Sequence, residues 1–213
     1  MKNNGHIKNF IFDLDETLYP PNIPIMKIIG KKINEYMRNH LHLDEAAIVN
    51  KRKYYKNTYG TTLWGLMNEY NINPEEFLSY VHTIDYDVLL KKDEKLKRAL
   101  STLSGKLFIY TNASKHHAIN VLKQLDIIEY FDDIISIEDT KYLPKPHINS
   151  FYTFIETTGI DCSESVFIEN SPINLLTAKK IDMKTAIVWV SERNSEPFDY
   201  SLETIYNIDE LVK

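Results

Sequence analysis

Asp13 and Asp15, Thr111 and Asn112, Lys145, and Glu169 and Asn170 are the side chains whose types and positions could carry chemistry together. They supply a carboxylate pair, a hydroxyl beside an amide, an ammonium between two prolines, and a further acid beside an amide. Such a set suits phosphoryl transfer. One carboxylate can attack phosphorus and form a covalent intermediate. A second can protonate the leaving oxygen and later activate water. Hydroxyl, amide and ammonium groups can hold the non-bridging oxygens as negative charge shifts among them. Mg²⁺ prefers oxygen ligands, commonly takes one or two carboxylates plus substrate phosphate, and offsets the repulsion between an anionic nucleophile and an anionic phosphate.

Scattered residues meet only if the fold brings them to one edge. Ile7–Phe12 is a short apolar run that ends in acids, the pattern of a buried strand followed by a loop. After residue 100 the pattern predicts strands at 106–111, 133–137, 166–169 and 185–190. Helices are expected at 114–125, 148–158 and 173–181, with Ser114 as N-cap and Gly159 closing the second. Strand–helix alternation builds a parallel sheet with helices on both faces, and ligands then bind at the carboxyl ends of the strands. The chemical residues sit at or next to those ends. Between about Ile25 and Leu100 no strand is expected. Ile25, Ile28, Ile29, Ile33, Tyr36 and Met37 recur at helical spacing, as do Phe77, Tyr80, Val81 and Ile84, and Asn73-Pro74 opens a helix.

The order of these motifs resembles the haloacid dehalogenase superfamily. Asp13-Leu14-Asp15-Glu16-Thr17 matches its DxDxT signature, and Thr111, Lys145 and Glu169-Asn170 fall where its second, third and fourth motifs stand. The resemblance implies an α/β fold, a three-layer Rossmann-like parallel sheet core with an inserted all-helical cap domain. Residues 1–20 and 101–213 would form the core and 21–100 the cap. It also implies Asp13 as nucleophile, Asp15 as general acid/base, and Thr111, Asn112 and Lys145 as phosphate ligands. Mg²⁺ would be held by Asp13 and the Asp15 main chain, with Asn170 and Glu169 at the fourth motif. Asp15 favours phosphate chemistry over carbon–halogen cleavage, because the family's dehalogenases lack this second aspartate.

Phe12–Tyr19, Tyr54-Tyr55-Lys56-Asn57-Thr58-Tyr59-Gly60, Leu63-Trp64-Gly65-Leu66, Thr111–Ala118 and Lys145-Pro146-His147 further resemble the pyrimidine 5′-nucleotidase branch. That implies a small phosphomonoester substrate, a nucleoside 5′-monophosphate, with the cap recognising the nucleoside. Another phosphatase or a phosphomutase on the same core stays open, as does a weakened phosphate-binding protein. Asn170 stands where the branch carries a second acid, which removes one charge from the site. Tyr55, Tyr59 and Trp64 are candidates to stack on a base; the competing reading makes them cap core. Glu169 is either a ligand or a supporting residue.

Composition narrows the field. The formal charge is −5, from 25 basic and 30 acidic residues, which argues against a general nucleic-acid partner. Residues 27–58 are nonetheless +5, with eight Lys/Arg against three acids. That is either a solvated helical face or a lid attractive to anions. No apolar run reaches membrane-spanning length, and the polar start leads straight into a strand, so neither a membrane partner nor a usual secretory signal is expected. Cys162 is the single cysteine, which rules out an intrachain disulfide, suits the cytoplasm and reads as inert. Adjacent His116 and His117 on a helix do not face one another, so they do not form a metal pair.

Overall fold

The computed structural model describes residues 7–190 and 197–212; residues 1–6, 191–196 and 213 of the expected core segments lie outside that range. Six strands form one parallel sheet: β1 (Asn9–Phe12), β2 (Lys106–Tyr110), β3 (Asp133–Ile135), β4 (Ser165–Glu169), β5 (Lys184–Val188) and β6 (Tyr200–Leu202). Their spatial order is β3-β2-β1-β4-β5-β6, and every neighbouring pair is parallel. The chain first builds outward from β1 through β2 to β3, then returns to β1's other side with β4. The order therefore reverses beside β1, and the crevice for a ligand opens there.

Strand periodicity sorts the core into two layers. Phe10, Phe12, Leu107, Ile109, Val166, Ile168, Ala186 and Val188 point to one face. Ile11, Phe108, Tyr110, Phe167 and Ile187 point to the other. Successive side chains of a strand face opposite ways, so strands covered on both sides must read as unbroken apolar runs. The second face is covered by Phe151 and Phe154 of α8 (Ile148–Thr158) and by Leu175 and Ala178 of α9 (Pro172–Lys179). The first is covered by Ala118, Val121 and Leu122 of α7 (Lys115–Leu125), Leu96 and Leu100 of α6 (Glu94–Leu100), and the 3-10 segment Ile205–Val212.

Between β1 and α6 lie α1 (Ile25–Leu41), α2 (Glu45–Tyr59), α3 (Thr62–Tyr70), α4 (Pro74–Val81) and the short α5 (Tyr86–Leu89), with no strand among them. Their starts are written in the sequence. Asp44, Thr61 and Asn73 each accept a hydrogen bond from an amide of the first turn, and Pro74 takes the first helical position, where its missing N–H costs nothing. Helices α2 and α3 cross closely at Gly65: a Cβ there would stand 2.2 Å from Cγ of Tyr55. The loop between them is held close to the core by Gly60, at φ +84°, where a Cβ would meet the Lys145 carbonyl oxygen at 2.9 Å. Helix α6, inside the residues expected to form the insert, packs on Ile205–Val212 of the core instead. Among the described residues no helix is long and apolar enough to cross a membrane.

Candidate active site

Phe12 pairs with Ile109 on one side and Ile168 on the other, so the next positions, Asp13, Tyr110 and Glu169, stand level at the carboxyl edge of three adjacent strands. The Asp13 amide donates to the Ile168 carbonyl at 2.9 Å, carrying the ladder one residue past β1 and fixing the direction of its side chain. The Lys145 ammonium is what ties these strand ends together. It donates to Asp13 Oδ1 at 2.8 Å, to the Tyr110 carbonyl at 2.6 Å and to Glu169 Oε2 at 3.2 Å. Three donors meet three acceptors, one from each strand. Lys145 is only 1% exposed, and burial of a lone ammonium would drive off its proton. Here burial is outweighed by the charges of Asp13 and Glu169, which hold its pKa above the usual lysine value.

Glu169, also 1% exposed, has no spare acceptor. Its Oε1 accepts from the Asn170 and Ser171 amides at 2.9 Å each, and its Oε2 from Asn174 Nδ2 at 2.7 Å as well as from Lys145. Asn112 clamps the lysine's backbone from the far side: Nδ2 donates to the Lys145 carbonyl at 3.0 Å, and Oδ1 accepts from the Lys145 amide at 2.8 Å. Thr111 is buried, with Oγ1 accepting from the Ala113 amide at 3.0 Å. Thr17, the last residue of the signature, donates its hydroxyl to Asp13 Oδ2 at 3.0 Å.

The two aspartates have different surroundings. Burial, then the charge of Glu169, pushes the Asp13 carboxyl up to about 7 against the opposing pull of Lys145. Burial alone would also raise Asp15. The His117 ring and the hydrogen bonds from His117 and Tyr19 outweigh it and hold Asp15 below the ordinary aspartate value. Tyr19 donates to Asp15 Oδ1 at 2.6 Å, and His117 Nε2 lies 2.8 Å from the same oxygen. Buried beside these carboxylates, the Tyr19 phenol is pushed well up and remains a donor.

These groups form the floor of a cleft of roughly 1060 Å³ whose opposite wall comes from α1, α2, the α2–α3 loop, α3 and α4. Asp13, Asp15, Thr111, Asn112, Lys145, Glu169 and Asn170 all border it, as do Tyr59 and Trp64. Tyr55 does not. It is fully buried, with its ring against Gly65 and its hydroxyl donating to Glu69 Oε2 at 2.6 Å. Sequence reasoning passed over Thr17, Tyr19, Asn174 and His117 as individual site members.

The model of the haloacid dehalogenase-like hydrolases matches residues 10–188. The chain belongs to this family. Phosphate metabolism protein 8 of Saccharomyces cerevisiae is 26% identical over 95% of this chain, which spans only 66% of that relative's length. The glyceraldehyde 3-phosphate phosphatase of Methanocaldococcus jannaschii is 26% identical over 97% of this chain and 96% of its own. The crystal structure of a HAD phosphatase from Thermococcus onnurineus superposes with a TM-score of 0.65 at 20% identity, covering 96% of this chain and 97% of the other. The sheet with an inserted helical cap is thus the family's fold.

Proposed function

We propose that this protein is a magnesium-dependent phosphatase that works through an aspartyl-phosphate intermediate on small phosphomonoesters, nucleoside 5′-monophosphates foremost. The observation that carries this reading is the pair of aspartates on one floor. Asp13 is pinned by Lys145 at 2.8 Å, and Asp15, two residues on, is held by separate donors. One is placed to attack and the other to exchange protons. Asp13 attacks phosphorus, Thr111 and the Asn112 region receive the non-bridging oxygens, and Lys145 turns the donor that holds Asp13 Oδ1 to a phosphate oxygen as the Asp13 carboxylate bonds to phosphorus. The arriving phosphate dianion raises the proton affinity of Asp15, which is an anion in the free site. Asp15 then protonates the departing oxygen and, once the alcohol has left, takes a proton from the attacking water.

The donor set fits a divalent cation. Asp13 and Glu169 place two buried carboxyl groups against the single ammonium of Lys145, and Asp15 adds a third carboxylate at the rim of the same cleft. Among the described residues no three His, Cys, Asp or Glu side chains converge as metal ligands. Mg²⁺, which keeps waters and takes few carboxylates, would use Asp13, the Asp15 main-chain carbonyl and the Asn170 amide oxygen. When bound, it supplies charge neutralisation for the anionic nucleophile and phosphate. Glu169, with every acceptor position occupied, holds Lys145 and the 170–174 turn in place rather than binding the ion directly.

Tyr59 and Trp64 offer flat surfaces on the cap wall, and Met26, Ile29 and Ile33 add apolar lining. A base stacked there would sit opposite the phosphate floor. The helices of residues 25–90 would move as the lid that excludes water. The test is a Mg²⁺-dependent assay over nucleotides and sugar phosphates with rapid acid quench. Phosphate trapped on the wild-type protein and absent from Asp13→Asn supports the reading. Turnover in Asp13→Asn would falsify it.

A further inference from the structure

His117 is completely buried, and three neighbours define its setting. Its Nε2 lies 2.8 Å from Asp15 Oδ1, its Nδ1 lies 2.8 Å from the Tyr86 hydroxyl, and its ring stacks on His82 with centroids 4.5 Å apart. His82 is itself tied at Nδ1 to Ser114 Oγ at 2.8 Å, and Ser114 caps α7 by accepting from the His117 amide at 3.2 Å. The ring therefore has little room to rotate. An ionised carboxylate only accepts, so the hydrogen must sit on Nε2. In the neutral ring Nδ1 is then an acceptor and takes the Tyr86 proton. In the cationic ring Nδ1 donates, and Tyr86 turns its proton to the His82 carbonyl at 3.2 Å. Tyr86 suits both forms, and both keep Nε2–H on Asp15.

Tyr19 and His117 converge on the same oxygen, Oδ1, while Asp15 borders the cleft. Two donors on Oδ1 exclude a proton from it, so the remaining oxygen is the one free to take part in chemistry. We propose that His117, braced by Tyr86, is a positioning residue that locks Asp15 Oδ1 so that Oδ2 alone exchanges protons with the leaving oxygen and with water. This rests on the phosphatase reading. In the first step the Asp13–phosphorus bond forms, the ester P–O bond breaks, and the Oδ2 proton passes to the departing alkoxide. In the second step water attacks phosphorus, the Asp13–phosphorus bond breaks, and Oδ2 recovers a proton from that water.

The leaving group separates positioning from packing. A nitrophenolate departs unassisted, whereas an alkoxide needs the proton. In His117→Leu, phosphoenzyme formation from an alkyl phosphate should fall by about 10²-fold, the lower range of general acid catalysis. Its formation from nitrophenyl phosphate should fall by less than about threefold, with the slower water step then showing as a burst. Tyr86→Phe should show the same dependence with a smaller loss. His117→Gln, whose amide nitrogen can reach the position of Nε2, should recover most of the alkyl phosphate rate. Independently of activity, long-range ¹H–¹⁵N spectra of histidine-labelled wild type should show a hydrogen on His117 Nε2. Equal losses on both esters, or a neutral ring protonated on Nδ1 alone, overturns the inference. If His117→Leu does not fold, Tyr86→Phe and the wild-type spectra decide. A wild type that cleaves neither ester overturns the phosphatase reading and this inference with it, whereas equal losses in an active wild type overturn only the inference.

Discussion

The floor of the cleft and the wall facing it are built on opposite principles. On the floor, Lys145 and Glu169 are each 1% exposed, and all their hydrogen-bonding positions are occupied. On the wall, Lys53 and Lys56 are exposed, Tyr59 and Trp64 are half-buried, and the only orphaned buried side-chain atom among the described residues is Arg52 Nε. A buried polar network holds its shape only if every member is paired, because each unpaired group keeps its full desolvation cost. A solvated wall pays no such cost and can vary. The floor is thus suited to keeping one geometry and the wall to variation; on the proposed reading the first holds the reacting atoms and the second selects what they are attached to.

The largest effect should come from Asp13→Asn. Turnover should fall by a factor on the order of 10⁴ or more, with an unchanged circular dichroism spectrum. Fold retained with activity lost would assign the floor's chemistry to that one oxygen donor.

Next comes Lys145→Met, which keeps length and removes charge. It strands Asp13 and Glu169 together in a buried setting, and breaking such a pair costs roughly 3–5 kcal/mol. Urea unfolding should show this loss. A stability within about 1 kcal/mol of wild type would mean that water already reaches the floor.

Asn170 lies at the boundary between the two regions, and Asn170→Asp restores a carboxylate with little change in size. The magnesium concentration for half-maximal activity should drop by about tenfold. Glu169→Gln should instead lower activity without shifting the magnesium midpoint, through loosening of Lys145. The reverse pattern would make Glu169 the ligand.

The wall should respond substrate by substrate. Tyr59→Ala and Trp64→Ala should cost about 1–3 kcal/mol in kcat/KM on a nucleotide and far less on a small aryl phosphate. Smallest of all, Tyr55→Phe should lower stability by about 1 kcal/mol through the lost Glu69 hydrogen bond and leave KM unchanged.

Much of the architecture was legible. The strand order of apolar runs, the Ser114 and Asn73 caps and the Gly159 stop all occur where local chemistry puts them. The short strand Tyr200–Leu202 had no such signal: three residues with one buried side chain set no period. The histidine pair shows where reading along the chain stopped. Adjacency excluded a shared metal, and the structure does send the two rings apart. His116 is exposed and pairs with Asn120, while His117 turns inward to Asp15. The same helical geometry supports both statements, yet only one of them has a partner visible nearby. Likewise Tyr55 and Tyr59, one turn apart on one helix, have the same composition signal. Packing against Gly65 put Tyr55 in the interior and left Tyr59 at the cleft.

By itself the sequence determined the kinds of element, their order and the acids, hydroxyls and lysine available at the strand ends. Those follow from periodicities and caps that act over a few residues. Tertiary structure decided how these groups are joined. Lys145 reaches Asp13 across 132 positions, His117 reaches Asp15 across 102, and Tyr86 reaches His117 across 31. Hydrogen bonds at such separations depend on how strands register and helices dock to within a fraction of an ångström, and no local pattern in a chain encodes that distance.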